Sequence, residues 1–205
     1  MSIGTFIIIK NESEYVGYSI MSVLDQVDEM VFADGKSTDG TLEIIDYIKR
    51  KYDKDNKIKL FFDKDCKNLQ DDYVDLFNWT LKQVKSDYAW FLHPDMICLN
   101  PESIKDSIKG AIRYSVKMIS VAGEERDLVI SYGRGGRWAS IYRNAYGLHY
   151  AGWYGVLEED CYFRDFTGDE HEYYEAKKYL PYNIEKTEIC LVHYCDCKPH
   201  ARRLG

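Results

Sequence analysis

Along the first hundred residues two hydrophobic periods take turns. Ile3 to Ile9 is an apolar run of strand length that ends at the polar Lys10, Asn11 and Glu12. Val16, Ile20, Val23 and Val27 then recur at helical spacing and mark the buried stripe of a first helix, which Asn11 and Glu14 would open as a capping box. Residues 30–33 read as a second strand. The segment Asp34-Gly35-Lys36-Ser37-Thr38-Asp39-Gly40 is turn and cap chemistry throughout, with Asp39 as helix N-cap. Thr41, Ile45, Ile48 and Tyr52 give the next helical stripe, residues 58–62 a third strand, Val74, Phe77, Leu81 and Val84 a third helix, and residues 88–92 a fourth strand.

Strands and helices alternating in this way imply parallel strands joined by right-handed crossovers. Ligands of such sheets bind beyond the carboxyl ends of the strands. Three loops therefore become candidates together: Lys10-Asn11-Glu12, Asp34-Gly35-Lys36 and His93-Pro94-Asp95, each with a carboxylate. Beyond Asn100 the rhythm changes. Residues 103–112 read as a helix, residues 117–121, 128–132, 138–142 and 189–192 as strands, and residues 170–179 as helical within an acidic, tyrosine-rich stretch. Gly133-Arg134-Gly135-Gly136-Arg137 reads as a hairpin tip. No repeat or low-complexity linker divides the chain, so residues 1–205 are expected to form a single domain.

Composition changes the picture by exclusion. The 205 residues include 27 basic and 34 acidic ones, a formal net charge of −7 that is a poor match for a nucleic-acid backbone. With 45% apolar and 30% charged residues the chain is globular rather than disordered. No apolar run reaches the ~20 residues of a membrane span, and the start lacks a basic, then apolar, leader; a cytoplasmic protein without a transmembrane segment is expected. The cysteines (Cys66, Cys98, Cys161, Cys190, Cys195 and Cys197) are irregularly spaced and read as free thiols; Cys195, Cys197 and His200 with Cys190 make only a weak zinc pattern. Neither a dinucleotide Gly-x-Gly-x-x-Gly nor a phosphate-loop Gly-x-x-x-x-Gly-Lys is present.

The stretch Phe6-Ile-Ile-Ile-Lys-Asn-Glu-Ser-Glu-Tyr15, then Ser22-Val-Leu, then Asp28-Glu-Met-Val-Phe-Ala-Asp34-Gly-Lys-Ser-Thr-Asp-Gly-Thr41, resembles the opening of a family 2 glycosyltransferase of the GT-A fold. It is particularly similar to the branch with lipopolysaccharide core glucosyltransferases. The similarity is dense over residues 3–48 and returns from Phe77 to Asp95. It implies a GT-A-like, Rossmann-like α/β fold: a mostly parallel central sheet with helices on both faces, residues 1–100 forming the nucleotide-binding half and residues 101–205 the acceptor half.

The resemblance also implies roles. Asp34 corresponds to the aspartate that contacts the nucleotide, and Lys10, Asn11 and Glu12 line the same pocket, Lys10 standing where the family has an aromatic. His93-Pro94-Asp95 takes the place of the family's Asp-x-Asp. Asp95 would hold Mn2+ or Mg2+, while His93, replacing the first carboxylate, faces the nucleotide and lowers the negative charge of the site. Phe77 stands where the family has an arginine. Gly152-Trp-Tyr-Gly155, Glu158-Glu159-Asp160 and His193 follow the family's order of glycine loop, acidic pair and late histidine. An inverting transferase needs a carboxylate to take the acceptor's proton. Asp160 or Glu159 fits that role, and Glu158 does on an alternative alignment. His193 is a metal ligand or diphosphate donor, with His149 a weaker rival, and Trp153 and Tyr154, beside Tyr150, an aromatic platform for the acceptor.

The expected reaction moves a sugar from a nucleotide donor, UDP-sugar by default, to a hydroxyl of a glycan or glycolipid, the chain lying free in the cytoplasm or peripheral to the membrane. Two other classes share the sheet. A nucleotidyltransferase would need a glycine-rich, arginine-containing signature after the first strand, and a non-catalytic nucleotide or sugar binder would be consistent with His93 and Phe77.

Overall fold

The computed structural model describes residues 1–62, 73–111, 113–122, 129–134, 140–144, 149–150, 156–157 and 184–196. Its first half follows the alternation read from sequence: β1 (Ile3–Ile9), α1 (Val16–Val23), β2 (Glu29–Asp34), α2 (Thr41–Lys51), β3 (Ile58–Phe61), α3 (Tyr73–Gln83) and β4 (Tyr88–Phe91). Then come β5 (Met96–Cys98), α4 (Ser103–Ser107), β6 (Arg113–Ala122), β7 (Val129–Arg134), β8 (Ile141–Arg143), β9 (His149–Tyr150), β10 (Val156–Leu157) and β11 (Ile184–Asp196).

Among the described residues, nine strands form one sheet in the order β3-β2-β1-β4-β8-β6-β11-β5, with β7 on the side of β6. Strands β3, β2, β1 and β4 are mutually parallel. Strand β8 runs against both β4 and β6, so β6 and its parallel neighbour β11 point the same way as β1. Strands β5 and β7 are antiparallel to their partners, and β9 and β10 pair separately.

Strand periodicity sorts the core onto the two faces of the sheet. Ile7, Ile9, Met30, Phe32, Tyr88 and Trp90 pack with Val16, Ile20 and Val23 of α1, Ile45 and Ile48 of α2 and Ile104 of α4. Their alternates Phe6, Val31, Ala89 and Phe91 pack on Phe77 and Leu81 of α3. Helices thus cover both faces. Phe77 is fully buried, its ring edge-on to Phe6 at 5.0 Å and to Phe91 at 4.3 Å. Where the resemblance led one to look for an arginine, this chain has a core aromatic.

The structure corrects several local readings. Asn11 and Glu14 make no capping box: Tyr15 is the N-cap of α1, without a side-chain cap hydrogen bond. Asn11 has φ 57, the left-handed region that asparagine tolerates and an N-cap does not use. The N-cap of α2 is Gly40 (φ 91), one residue after Asp39, although Asp39 Oδ1 still accepts from Thr41 N–H at 3.2 Å. The helix read over residues 103–112 ends at Ser107, because Ile108 turns extended and Gly110 adopts φ 104. Strand β5 was not foreseen, and β11 is far longer than residues 189–192. The helix expected over residues 170–179 lies outside the described residues.

Candidate active site

All three candidate loops lie at the carboxyl edge of the parallel strands. Strand β1 pairs with β2 on one side, Ile9 opposite Asp34, and with β4 on the other, Phe6 opposite Phe91. The loops that leave β1, β2 and β4 are therefore neighbours.

The β1 and β2 loops are stitched to each other. Asn11 N–H donates to Ser37 Oγ at 3.0 Å, Glu12 N–H to Thr41 Oγ1 at 2.7 Å and Ser13 N–H to Asp39 Oδ2 at 3.1 Å; in return Thr38 N–H donates to Asn11 Oδ1 at 2.8 Å. Asp34, buried at the end of β2, accepts from Ser37 N–H at 3.1 Å and shapes the turn. The backbone donors of residues 11–13 are thus engaged within the protein, so a nucleotide here would be met by side chains. Gly35 lets the loops close up. Its N–H donates to Ile9 O at 2.7 Å, and a Cβ there would stand 3.2 Å from that oxygen and 3.4 Å from Lys10 Cβ. Lys10 itself is exposed and Glu12 half-buried. Asp39 ties the pair of loops to α2. Burial pushes its carboxyl up, but hydrogen bonds from the side chains and N–H groups of Thr41 and Ser13 outweigh that and hold it down at about 2.

After β4 the chain turns at His93-Pro94-Asp95-Met96. His93 O accepts from Met96 N–H at 3.0 Å across the turn and from Ser19 Oγ of α1 at 3.1 Å. Proline at the second position presets the bend. The returning strand β5 pairs with β11, His193 opposite Met96, and Tyr194 N–H continues the ladder to Asp95 O at 3.1 Å. Sequence-distant His193 is thereby laid against the turn. One ligand atom from each of His93, Asp95 and His193 lies within 4.8 Å of the others. His193 Nε2 stands 3.4 Å from Asp95 Oδ1, and the two imidazole centroids are 5.4 Å apart. Asp95 is 2% and His193 8% exposed, so a charge placed between them is poorly screened by water. Tyr194 stacks on Tyr15, at the start of α1, with centroids 5.3 Å apart, and so fastens the end of β11 to the helix that follows the β1 loop.

The structure thus brings together His93, Asp95 and His193, and separately Asn11, Glu12 and Asp34 on the adjoining loops. Glu158, Glu159, Asp160, Trp153 and Tyr154 lie outside the described residues, as do Cys197 and His200. His149 is in β9, the strand that pairs with β10 in a two-stranded ribbon. Ser19, Tyr15 and Tyr194 escaped the sequence reading; a serine or tyrosine on an apolar stripe carries no signal of the carbonyl or ring it will meet. Cys98 and Cys190 are free. Burial pushes the Cys98 thiol up to about 11, which keeps it protonated and a poor metal ligand. Two surface cavities, of about 420 and 250 Å3, open at the opposite edge of the sheet near Lys85 and Arg143, and near Met21 and Lys51; neither adjoins the cluster. No helix among the described residues is long and apolar enough to cross a membrane.

The family model of Glycosyl transferase family 2 matches residues 5–129, a span that holds the β1, β2 and β4 loops. None of the curated proteins matches the chain. Among solved structures, S. aureus TarS 1-349 is similar over 95% of this chain and 61% of its own, at 16% identity and a TM-score of 0.54. The same protein in complex with UDP is similar over 71% of this chain and 47% of its own, at 20% identity and a TM-score of 0.51. The chain therefore spans about half to three-fifths of the TarS fragment, and at these identities the likeness is one of fold.

Proposed function

The chain belongs to glycosyl transferase family 2 and has its GT-A-like α/β fold, and from that premise we propose that it moves a sugar from a nucleotide donor to a hydroxyl acceptor, with inversion at the anomeric carbon. One observation carries this reading: His93, Asp95 and His193 converge at the edge of the sheet where the β1 and β2 loops also end. Two imidazole nitrogens and a carboxylate oxygen are a sound donor set for Mn2+ and a poorer one for Mg2+. A divalent cation held there supplies neutralisation of the charge that builds on a departing nucleoside diphosphate.

The protein's own residues do the remainder. Asp34, with Lys10, Asn11 and Glu12, orients the nucleotide over the carboxyl edge. UDP is the nucleotide we assign, supported by the UDP complex of TarS. Asp160, Glu159 or Glu158 takes the proton of the acceptor hydroxyl as it attacks, and Trp153 and Tyr154 stack on the acceptor's apolar face. The acceptor is a glycan or glycolipid, in keeping with the resemblance to lipopolysaccharide core glucosyltransferases. The single domain works in the cytoplasm, its second half facing that acceptor at the membrane surface.

The test is slow donor hydrolysis. With Mn2+ and a panel of UDP-sugars the chain should release UDP, and Asp95→Asn should cut the release at least ~100-fold, because the carboxylate supplies the only formal negative charge of the three-residue set. A rate unchanged in Asp95→Asn would sink the assignment of that carboxylate. Nucleotide binding without any release would mark the chain as a non-catalytic binder.

A further inference from the structure

The three-residue cluster contains more nitrogen than oxygen, and that has a consequence for which ion it takes. We propose that His93 is the residue that sets ion preference here, turning the site from Mg2+ toward later first-row ions, with Co2+ and Zn2+ above Mn2+ and Mn2+ above Mg2+. This rests on the reading that the cluster holds a divalent cation.

Mg2+ is hard, demands near-ideal octahedral oxygen coordination and gives up its waters reluctantly. Imidazole suits the later ions, whose affinity for nitrogen rises from Mn2+ through Co2+. Asp95 contributes oxygen; His93 and His193 contribute nitrogen, and the three ligand atoms already lie within 4.8 Å of one another. His193 is laid in place by its strand, through the pairing with Met96. His93 is set by the turn, its carbonyl fixed by Met96 N–H and Ser19 Oγ. Its ring rests against Phe91 with centroids 4.2 Å apart. That packing limits the rotamers open to the imidazole, so nitrogen is presented without a large ordering cost. Only one of the three groups is an anion, so a bound divalent ion keeps net positive charge toward a diphosphate.

Almost any site prefers Co2+ to Mg2+ to some degree, so the informative quantity is how the ratio depends on His93. Isothermal titration of the full, tag-free, metal-stripped chain with MgCl2, MnCl2, CoCl2 and ZnCl2, with and without UDP, reads it directly. Wild type should bind Co2+ roughly a hundred-fold or more tighter than Mg2+. His93→Asp, which restores a second carboxylate, should shrink that ratio at least about ten-fold. His93→Asn, which removes imidazole without adding charge, should shrink it as well, and it keeps the test decisive if the aspartate variant fails to fold. A ratio unchanged in the folded variants, or wild type binding Mg2+ as tightly as Co2+, overturns the proposal. Failure of every ion to bind wild type overturns the cation reading and the proposal with it. The expected ranking without any UDP-sugar hydrolysis leaves the proposal standing and removes the transferase reading instead.

Discussion

Asp39 illustrates how much a single side chain does at this edge. Its two oxygens face different segments, Thr41 at the start of α2 and Ser13 after β1. Loss of one helix-terminal acceptor costs about 1 kcal/mol, so Asp39→Asn should destabilise the fold by about that much, measured by urea unfolding at neutral pH. The pH dependence has a fixed sign. The folded carboxyl titrates at about 2, below its unfolded value of about 4, so its contribution is full above the unfolded value and fades as pH falls toward 2. The stability of Asp39→Asn should therefore fall less steeply than that of wild type in this window. At the same scale, the candidate site was partly legible. A carboxylate or histidine just past an apolar strand declares itself by position, as Asp34, His93 and Asp95 did. Asn11 misled because its spacing to Glu14 imitates a cap, while the backbone used asparagine's tolerance of positive φ.

At the scale of elements, α3 shows where core packing overrides the family's chemistry. Phe77 is wedged among Phe6 and Phe91 on the face opposite α1 and α2. Restoring the family's arginine would bury an unpaired cation among aromatic rings. Phe77→Arg should cost about 3–5 kcal/mol and gain no donor affinity, which thermal melting together with UDP titration would check; a stable variant with tighter UDP binding would contradict the packing account. The elements of the first half were readable because α1 and α2 each bury one stripe, while β1, β2 and β4 are buried on both faces and read as continuous apolar runs. Strand β5 has only three residues, too few for any period to show. Strand β11 acquires its length from partners on both sides, β6 and β5, and such long-range pairing leaves no local trace.

For the whole molecule, the parallel half supplies an edge and β11 brings His193 to it. A nucleotide bound across the β1, β2 and β4 loops would join segments that the native state alone holds together, so it should raise the melting temperature. UDP with Mn2+ at about 100 times its dissociation constant should add about 5–10 °C, and UDP without metal distinctly less. A shift of equal size without metal would speak against the cluster's part in binding. The parallel strands of the first half followed from strand–helix alternation, and the helices on both faces from the resemblance to the family. The order in which β8, β6, β11 and β5 extend the sheet did not follow, because the antiparallel pairings of β8 and β5 obey no crossover rule that a reader of the chain can apply in advance.

Strand β11 does two jobs at once: it lies between β6 and β5 and carries His193 to the turn after β4. During synthesis, then, His93 and Asp95 emerge from the ribosome long before the imidazole that completes their cluster. A nascent chain halted short of residue 193 would carry the β1, β2 and β4 loops but only two of the three side chains of the cluster. On the proposed reading, capture of a cation by all three is reserved for polypeptides whose translation has passed that point.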